Sequence, residues 1–451
     1  MKILEKLKLM MLAFTLVCFV ACSSDDDTPD VAEETCSDGI MNNGETGVDC
    51  GGPNCSACEE ETAEVTVTGE ITEDTTWTND TIYILAGKVV VGVDVTLTIQ
   101  PGTIIKGSEG EGSLASALIV QRGAHINANG EGDSIIFTSV LDEITYDSPN
   151  DSNLDENETG LWGGVIILGN ATASLGGGAT EEQIEGIPAS DTFGLYGGDD
   201  DTYGENITFK YVSIRHGGAL IGEGNEINGL TLGGIGSEAT ISDIEIVANF
   251  DDGIEIFGGS VDVQNILVWK GEDDGIDLDQ AYTGTISNAI VIQGPESDNA
   301  LELDGPEGTL RGAYTITGLT LRSTTEAGDG NRRIANFKSD LSASINKVFV
   351  TGFPSTSKAR LDDDRTATNY NNGDLNFSDW EIVLPEGVAG VNDVFEILPY
   401  DADEDEGVTI TTTYGTDAEN FATAITGEPT SGVGADTSVF SWTYTNAKGA
   451  L

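Results

Sequence analysis

The sequence predicts an all-β chain: a right-handed parallel β-helix, or solenoid, with a small Cys-rich module at its amino end. Three observations predict it. Hexamers with apolar residues at fixed places, beginning at Ile241, Val263, Ile286, Ile316 and Ile345, start 22, 23, 30 and 29 residues apart. A second series, of apolar triplets, alternates with them from Leu230, Ile254, Ile276 and Leu301 at intervals of 24, 22 and 25 residues. The composition is that of strands and turns: 58 of 451 residues are glycine, and runs of Ile, Val and Thr replace Ala/Leu/Lys blocks.

Strands that recur once per circuit cannot pair as hairpins and keep this order, so they stack in parallel, coil over coil. Neighbouring coils lie about 4.8 Å apart, right-handed by the crossover rule, with the outer residues of each triplet inward and the middle one outward. Phe209 to Ile214 is a looser early copy. Leu97 to Ile105 is echoed 21 residues later by Leu118 to Ile126, then by Ile135 to Phe137 and Val165 to Leu168. The solenoid is expected over 65–353. Beyond Phe353 the period fades, and 354–451 reads as closing coils and a cap, with a last apolar strand at Val439 to Tyr444.

Residues 1–21 place Lys2, Lys6 and Lys8 ahead of the apolar stretch Leu9 to Ala21, which is a secretory signal too short to span a membrane. The run closes in Ala21-Cys22 and resembles the lipobox of bacterial lipoproteins, which implies a lipid on Cys22. The tether, 22–35, opens Ser23-Ser24-Asp25-Asp26-Asp27, similar to the acidic tag that sends lipoproteins of the Bacteroidota to the outer face of the outer membrane. In that oxidising setting Cys36, Cys50, Cys55 and Cys58 of the 36–58 module form two disulfides, by any of three pairings. Asp38, Asn42, Glu45 and Asp49 there read as calcium ligands or as polar turn residues. Residues 59–64 are a linker.

With 78 Asp+Glu against 19 Lys+Arg, the formal charge is −59. Nucleic acid is excluded as a partner, and membrane contact is expected only through the lipid.

If the triplets stack in register, Thr231, Glu255, Asp277 and Glu302 form one outward column, flanked by Asp279 and Asp304. Carboxylates about 5 Å apart raise one another's pKa or share a cation. Calcium, a hard ion taking six to eight oxygens, suits such a lattice, and an exposed acidic surface screened by salt is the alternative. A second column lies in the turns before those strands: Asp251-Asp252, Asp273-Asp274 and Asp298-Asn299, with His216 above. Asx turns account for the DDGI segments without a ligand. Tyr196, Tyr203 and Tyr282 sit in glycine-rich turns as candidate sugar-stacking rings. Asp151-x-Asn153-x-Asp155 imitates a calcium loop but lacks its glycine and closing Glu.

The stretch 194–234, GLYGGDDDTYGENITFKYVSIRHGGALIGEGNEINGLTLGG, and the later DDGIEI and DDGIDLDQAY resemble a family of Bacteroidota surface lipoproteins with pectin-lyase-like helices. The resemblance implies the fold and a cell-surface address, with no settled activity. Asp251, Asp252, Asp273 and Asp274 superficially resemble the Asp triad of polygalacturonases, but Asp298-Asn299 stands where those enzymes carry His-Gly. Lyases of this fold use Arg or Lys beside calcium, for which Lys270 and Arg311 are the candidates. The functional expectation is non-catalytic binding of glycan, matrix or a surface protein; the alternative is a polysaccharide lyase or glycoside hydrolase.

Overall fold

The computed structural model describes residues 36–42, 44–56, 58, 63–220, 227–324, 330–402 and 407–451. The signal, Cys22, the tether and residues 59–62 of the linker lie outside the described residues. Two compact units divide at residue 61.

In the first unit the pairing is Cys36–Cys55 and Cys50–Cys58, with Cα–Cα distances of 5.5 and 4.7 Å. Asp49 accepts the Gly39 N–H, Asp38 accepts the Ile40 N–H and the Asn42 amide, and Glu45 accepts the Asn42 and Asp49 N–H groups. These side chains are therefore acceptors that shape the turns.

Among the described residues of the second unit, 24 strands form one continuous sheet wound into a three-sided solenoid. The first face stacks the triplet strands Ala117–Val120, Val165–Leu168, Leu230–Gly233, Ile254–Phe257, Ile276–Asp279, Leu301–Leu303, Ala335–Phe337 and Ala359–Leu361, all parallel. The hexamers belong to longer strands, such as Thr240–Val247 and Val263–Trp269, whose two halves build the other two faces. Between the halves one residue per coil turns left-handed: Tyr211, Asp243, Asn265, Asn288, Gly318, Lys347 and Asp379 have φ of 52–72°. This bend explains why the hexamers are apolar at their first, fourth and sixth places. The bent residue consumes one position and resets the alternation, so both halves point their aliphatic residues inward. Asparagine and aspartate tolerate that conformation, and they also bond along the stack: Asn265 donates to Asp243 and Asn288 to Asn265, each at 2.8 Å.

Segment 173–196 folds back over the first face. Its Ala173, Leu175, Ile184, Ile187 and Tyr196 bury Ile119, Ile166, Leu168 and Phe257 in a small second core outside the solenoid.

Strands continue beyond 353, through Leu375–Val383, Phe395–Ile397 and Ala422–Ile425. The strand expected at Val439 to Tyr444 is instead a 3-10 turn, Thr437–Phe440, followed by a helical turn, Tyr444–Ala447. Capping explains the difference: Asp436 accepts the Ser438 N–H and Thr443 accepts the Asn446 N–H, which favours helical turns over extension. The segment is a strap. Gly434 donates to the Lys347 carbonyl, Ala435 to Thr320, Asp436 to Asn288, and Tyr444 and Thr445 to the buried Glu245 carboxylate, at 2.6–3.1 Å. It thus climbs back past successively earlier coils, with Phe440 and Tyr444 packed on Val247, Leu267, Trp269 and Ile290.

Candidate functional site

The first face carries an unbroken outward column. Val90, Ile119, Ile166, Thr231, Glu255, Asp277, Glu302, Asn336 and Arg360 stand in register, one per coil. Its upper part is aliphatic and underlies the second core, its middle is acidic, and below that it runs through the amide of Asn336 and Arg360 to Glu396.

Three residues before each member, the turn residues stack in a parallel column: Asn228, Asp252, Asp274, Asn299 and Arg333. Glycine makes this close stacking possible. A Cβ at Gly253 would meet Val268 at 2.5 Å and the Gly275 carbonyl at 2.6 Å, and one at Gly275 would meet Val291 at 2.5 Å and the Ala300 carbonyl at 2.7 Å. The Asp side chains do not fold onto their own turns, as Asx chemistry would have it. Asp252 accepts the Asp274 N–H from the next coil at 2.9 Å, and Asp274 accepts the Asn299 N–H and side-chain amide at 2.6 and 2.8 Å.

The two columns merge into one site. Ligand oxygens of Asp252, Glu255 and Asp277 lie within 4.8 Å of one another, and so do those of Asp274, Asp277 and Glu302. Asp251 with Asp252 and Asp273, and Asp273 with Asp274 and Asp298, form further groups of the same tightness toward the surface. Amides close both ends: Asn228 donates to Glu255 and Thr231, and Asn299 to Glu302 at 2.9 Å.

The lattice faces away from the solenoid core but is not the exposed acidic surface considered as the alternative. Asp252, Glu255, Asp274 and Asp304 are buried, and Asp277, Asp279 and Glu302 are half-buried. Burial, reinforced by neighbouring carboxylates, pushes Asp252, Glu255, Asp274 and Asp277 well above the ordinary carboxylate range. Burial also raises Glu302, but its hydrogen bond with Asp274 and the Lys338 ammonium outweigh this and hold it low. Asp279 and Asp304 stand beside this group as a second pair. Burial and the charge of Asp304 raise Asp279 to about 7, and burial raises Asp304 to about 6 despite the nearby Lys338.

The counter-charge is Lys338, which sequence reasoning did not single out. It pairs with Glu302 and, at 3.4 Å, with Asp304, and those two carboxylates overcome its burial to raise its pKa. The i, i+3 pairing of the columns, Asp252-x-x-Glu255 and Asp274-x-x-Asp277 between Asn228-x-x-Thr231 and Asn299-x-x-Glu302, is the signal that foretells the merged site.

The basic candidates lie elsewhere. His216 is fully buried, its Nδ1 2.7 Å from the Glu158 carbonyl, and burial lowers its pKa. Lys270 pairs with Glu156 and Asn157 at 3.1 and 3.0 Å; both belong to 142–158, an acidic insertion between the strands Ile135–Ser139 and Val165–Leu168. Arg311 pairs with Asp340. In the same insertion Asn153 accepts the Glu143 N–H and Asp155 the Asn157 N–H, so the imitation calcium loop is internally hydrogen-bonded. The tyrosines are not exposed platforms either: Tyr196 and Tyr282 are buried, bonding Gln280 and the Val261 carbonyl, and the half-buried Tyr203 accepts the Gly123 N–H. Each is a structural tyrosine whose hydroxyl finds a partner.

No curated protein and no solved structure matches this chain. One family does, over residues 69–445, which takes in the stacked coils, the merged carboxylate columns and the strap. The chain belongs to the family of pectate-lyase-like β-helix domains.

Proposed function

We propose that the chain is a non-catalytic binding module, anchored through Cys22 to the outer face of an outer membrane, that holds a glycan or a surface protein along its flank with calcium in the carboxylate columns. The observation that carries the reading is the state of its bases. Lys338 is held protonated by Glu302 and Asp304, Lys270 is paired with Glu156, Arg333 with Asp298, and His216 is buried against Glu158. Proton abstraction from a sugar needs a base able to accept a proton, and a chelator needs only oxygens. The clustered acids supply oxygens.

The rival reading, a glycoside hydrolase, draws on the same acids, because carboxyls held protonated near neutrality are what a general acid requires. Incubating the full chain with acidic polysaccharides in millimolar calcium separates the two. Retention of polysaccharide with no turnover is expected; unsaturated products or new reducing ends would overturn the binding reading. For the anchor, Cys22→Ala is expected to leave the protein unlipidated and released or retained as precursor. Unchanged membrane association of that variant would refute the assignment.

A further inference from the structure

We propose that the merged columns form two adjoining divalent-cation subsites that share Asp277: an upper one of Asp252, Glu255 and Asp277, and a lower one of Asp274, Asp277 and Glu302. The inference rests on the calcium reading above and extends it to the turn aspartates and to a stoichiometry.

Geometry carries the argument. Oxygens on one coordination sphere of radius about 2.4 Å can be at most about 4.8 Å apart, and each of the two oxygen triplets meets that bound. The triplets are one coil apart, about 4.8 Å, and intersect only at Asp277.

Neutral oxygens mark both ends independently of the acids. Asn228, 4% exposed, gives its amide hydrogens to Glu255 and Thr231 and leaves Oδ1 without a hydrogen-bond partner. Asn336, 5% exposed and next below Glu302 on the outward column, also has an unpartnered Oδ1. A buried amide oxygen with no donor is costly unless something positive meets it, and amide carbonyls are ordinary calcium ligands. At the centre, Asp277 Oδ1 is buried and unpartnered as well. A carboxylate placed between two cations needs no hydrogen-bond donor.

The subsites are unequal. The Lys338 ammonium already pairs with Glu302, so an ion entering the lower subsite meets a like charge, whereas the upper subsite borders Thr231 and Asn228. The upper subsite therefore fills first.

Calcium binding to the full, calcium-stripped chain, followed by isothermal titration, tests this. Asp277→Asn is expected to remove two equivalents relative to the wild type, and Asp252→Asn or Glu302→Gln one each. Lys338→Met is expected to tighten the weaker equivalent at least about tenfold by removing the like charge. Each replacement removes charge from a crowded acidic site or a single counter-ion, and circular dichroism of the apo form confirms that the variant is folded. Loss of only one equivalent in Asp277→Asn, or of none in Asp252→Asn, would overturn the shared arrangement while leaving calcium on this face. A wild type that binds no calcium would sink the calcium reading itself, and this inference with it.

Discussion

Ile276→Asp is expected to cost on the order of 4–5 kcal/mol and to unfold the central coils at ordinary temperature. Ile276 is fully buried and packs in register between Ile254 above and Leu301 below, so an aspartate there faces hydrocarbon on both sides and finds no cation. On the outward side of the neighbouring strand, Ile254–Phe257, the sign reverses. Glu255→Gln removes a charge that burial and Asp252 oppose, and keeps an oxygen for Asn228, so stability without calcium is expected to hold or rise. Urea melts of the two variants check the pair. Equal destabilisation would mean that the inward and outward faces of the strand are misassigned.

In calcium-free buffer the thermal midpoint is expected to fall as pH rises from about 5 to 8, by an amount equivalent to a few kcal/mol. Asp279 and Asp304 titrate at about 7 and about 6 in the fold, above the ordinary aspartate value, so the folded state holds protons that the unfolded chain has released. Their contribution is complete below the unfolded pKa and is lost as pH climbs through 6 and then 7. Asp252, Glu255, Asp274 and Asp277 are shifted the same way and add to the slope. Millimolar calcium is expected to restore the midpoint at pH 8, where sodium chloride of equal ionic strength does not, since only a ligand of the folded state acts by mass action. A midpoint that is flat or rising over this range without calcium would contradict burial of the carboxylates.

Much of this fold was legible because a solenoid repeats its strands at a nearly constant interval, and both series of apolar strands were visible as such. The left-handed bend was less legible. It is carried by residues as different as Tyr211, Asn265 and Lys347, whose common property is backbone conformation rather than chemistry. The outward column of Glu255, Asp277 and Glu302 could be read from the period, but its burial could not. Segment 173–196, which has no repeat, covers the aliphatic part of the same face and brings Glu185 near Glu255, and the counter-charge is Lys338, 36 residues beyond Glu302, where an insertion breaks the interval. The turn aspartates read from sequence as a column separate from the strand carboxylates, because spacing along a chain does not show that side chains three residues apart converge between coils.

The strap alters the mechanics of the whole stack. In a plain solenoid each coil touches only its neighbours, so force applied at one end peels coils away one at a time, each yielding at a modest load. Here residues 434–447 bind coils from Lys347 through Thr320 and Asn288 back to Glu245, so the first and last of these, which do not pair with one another, are tied by one segment. Coils beyond the strap cannot peel inward past Lys347 until bonds on several separate coils release together. The wall therefore resists as a clamp instead of opening like a zipper.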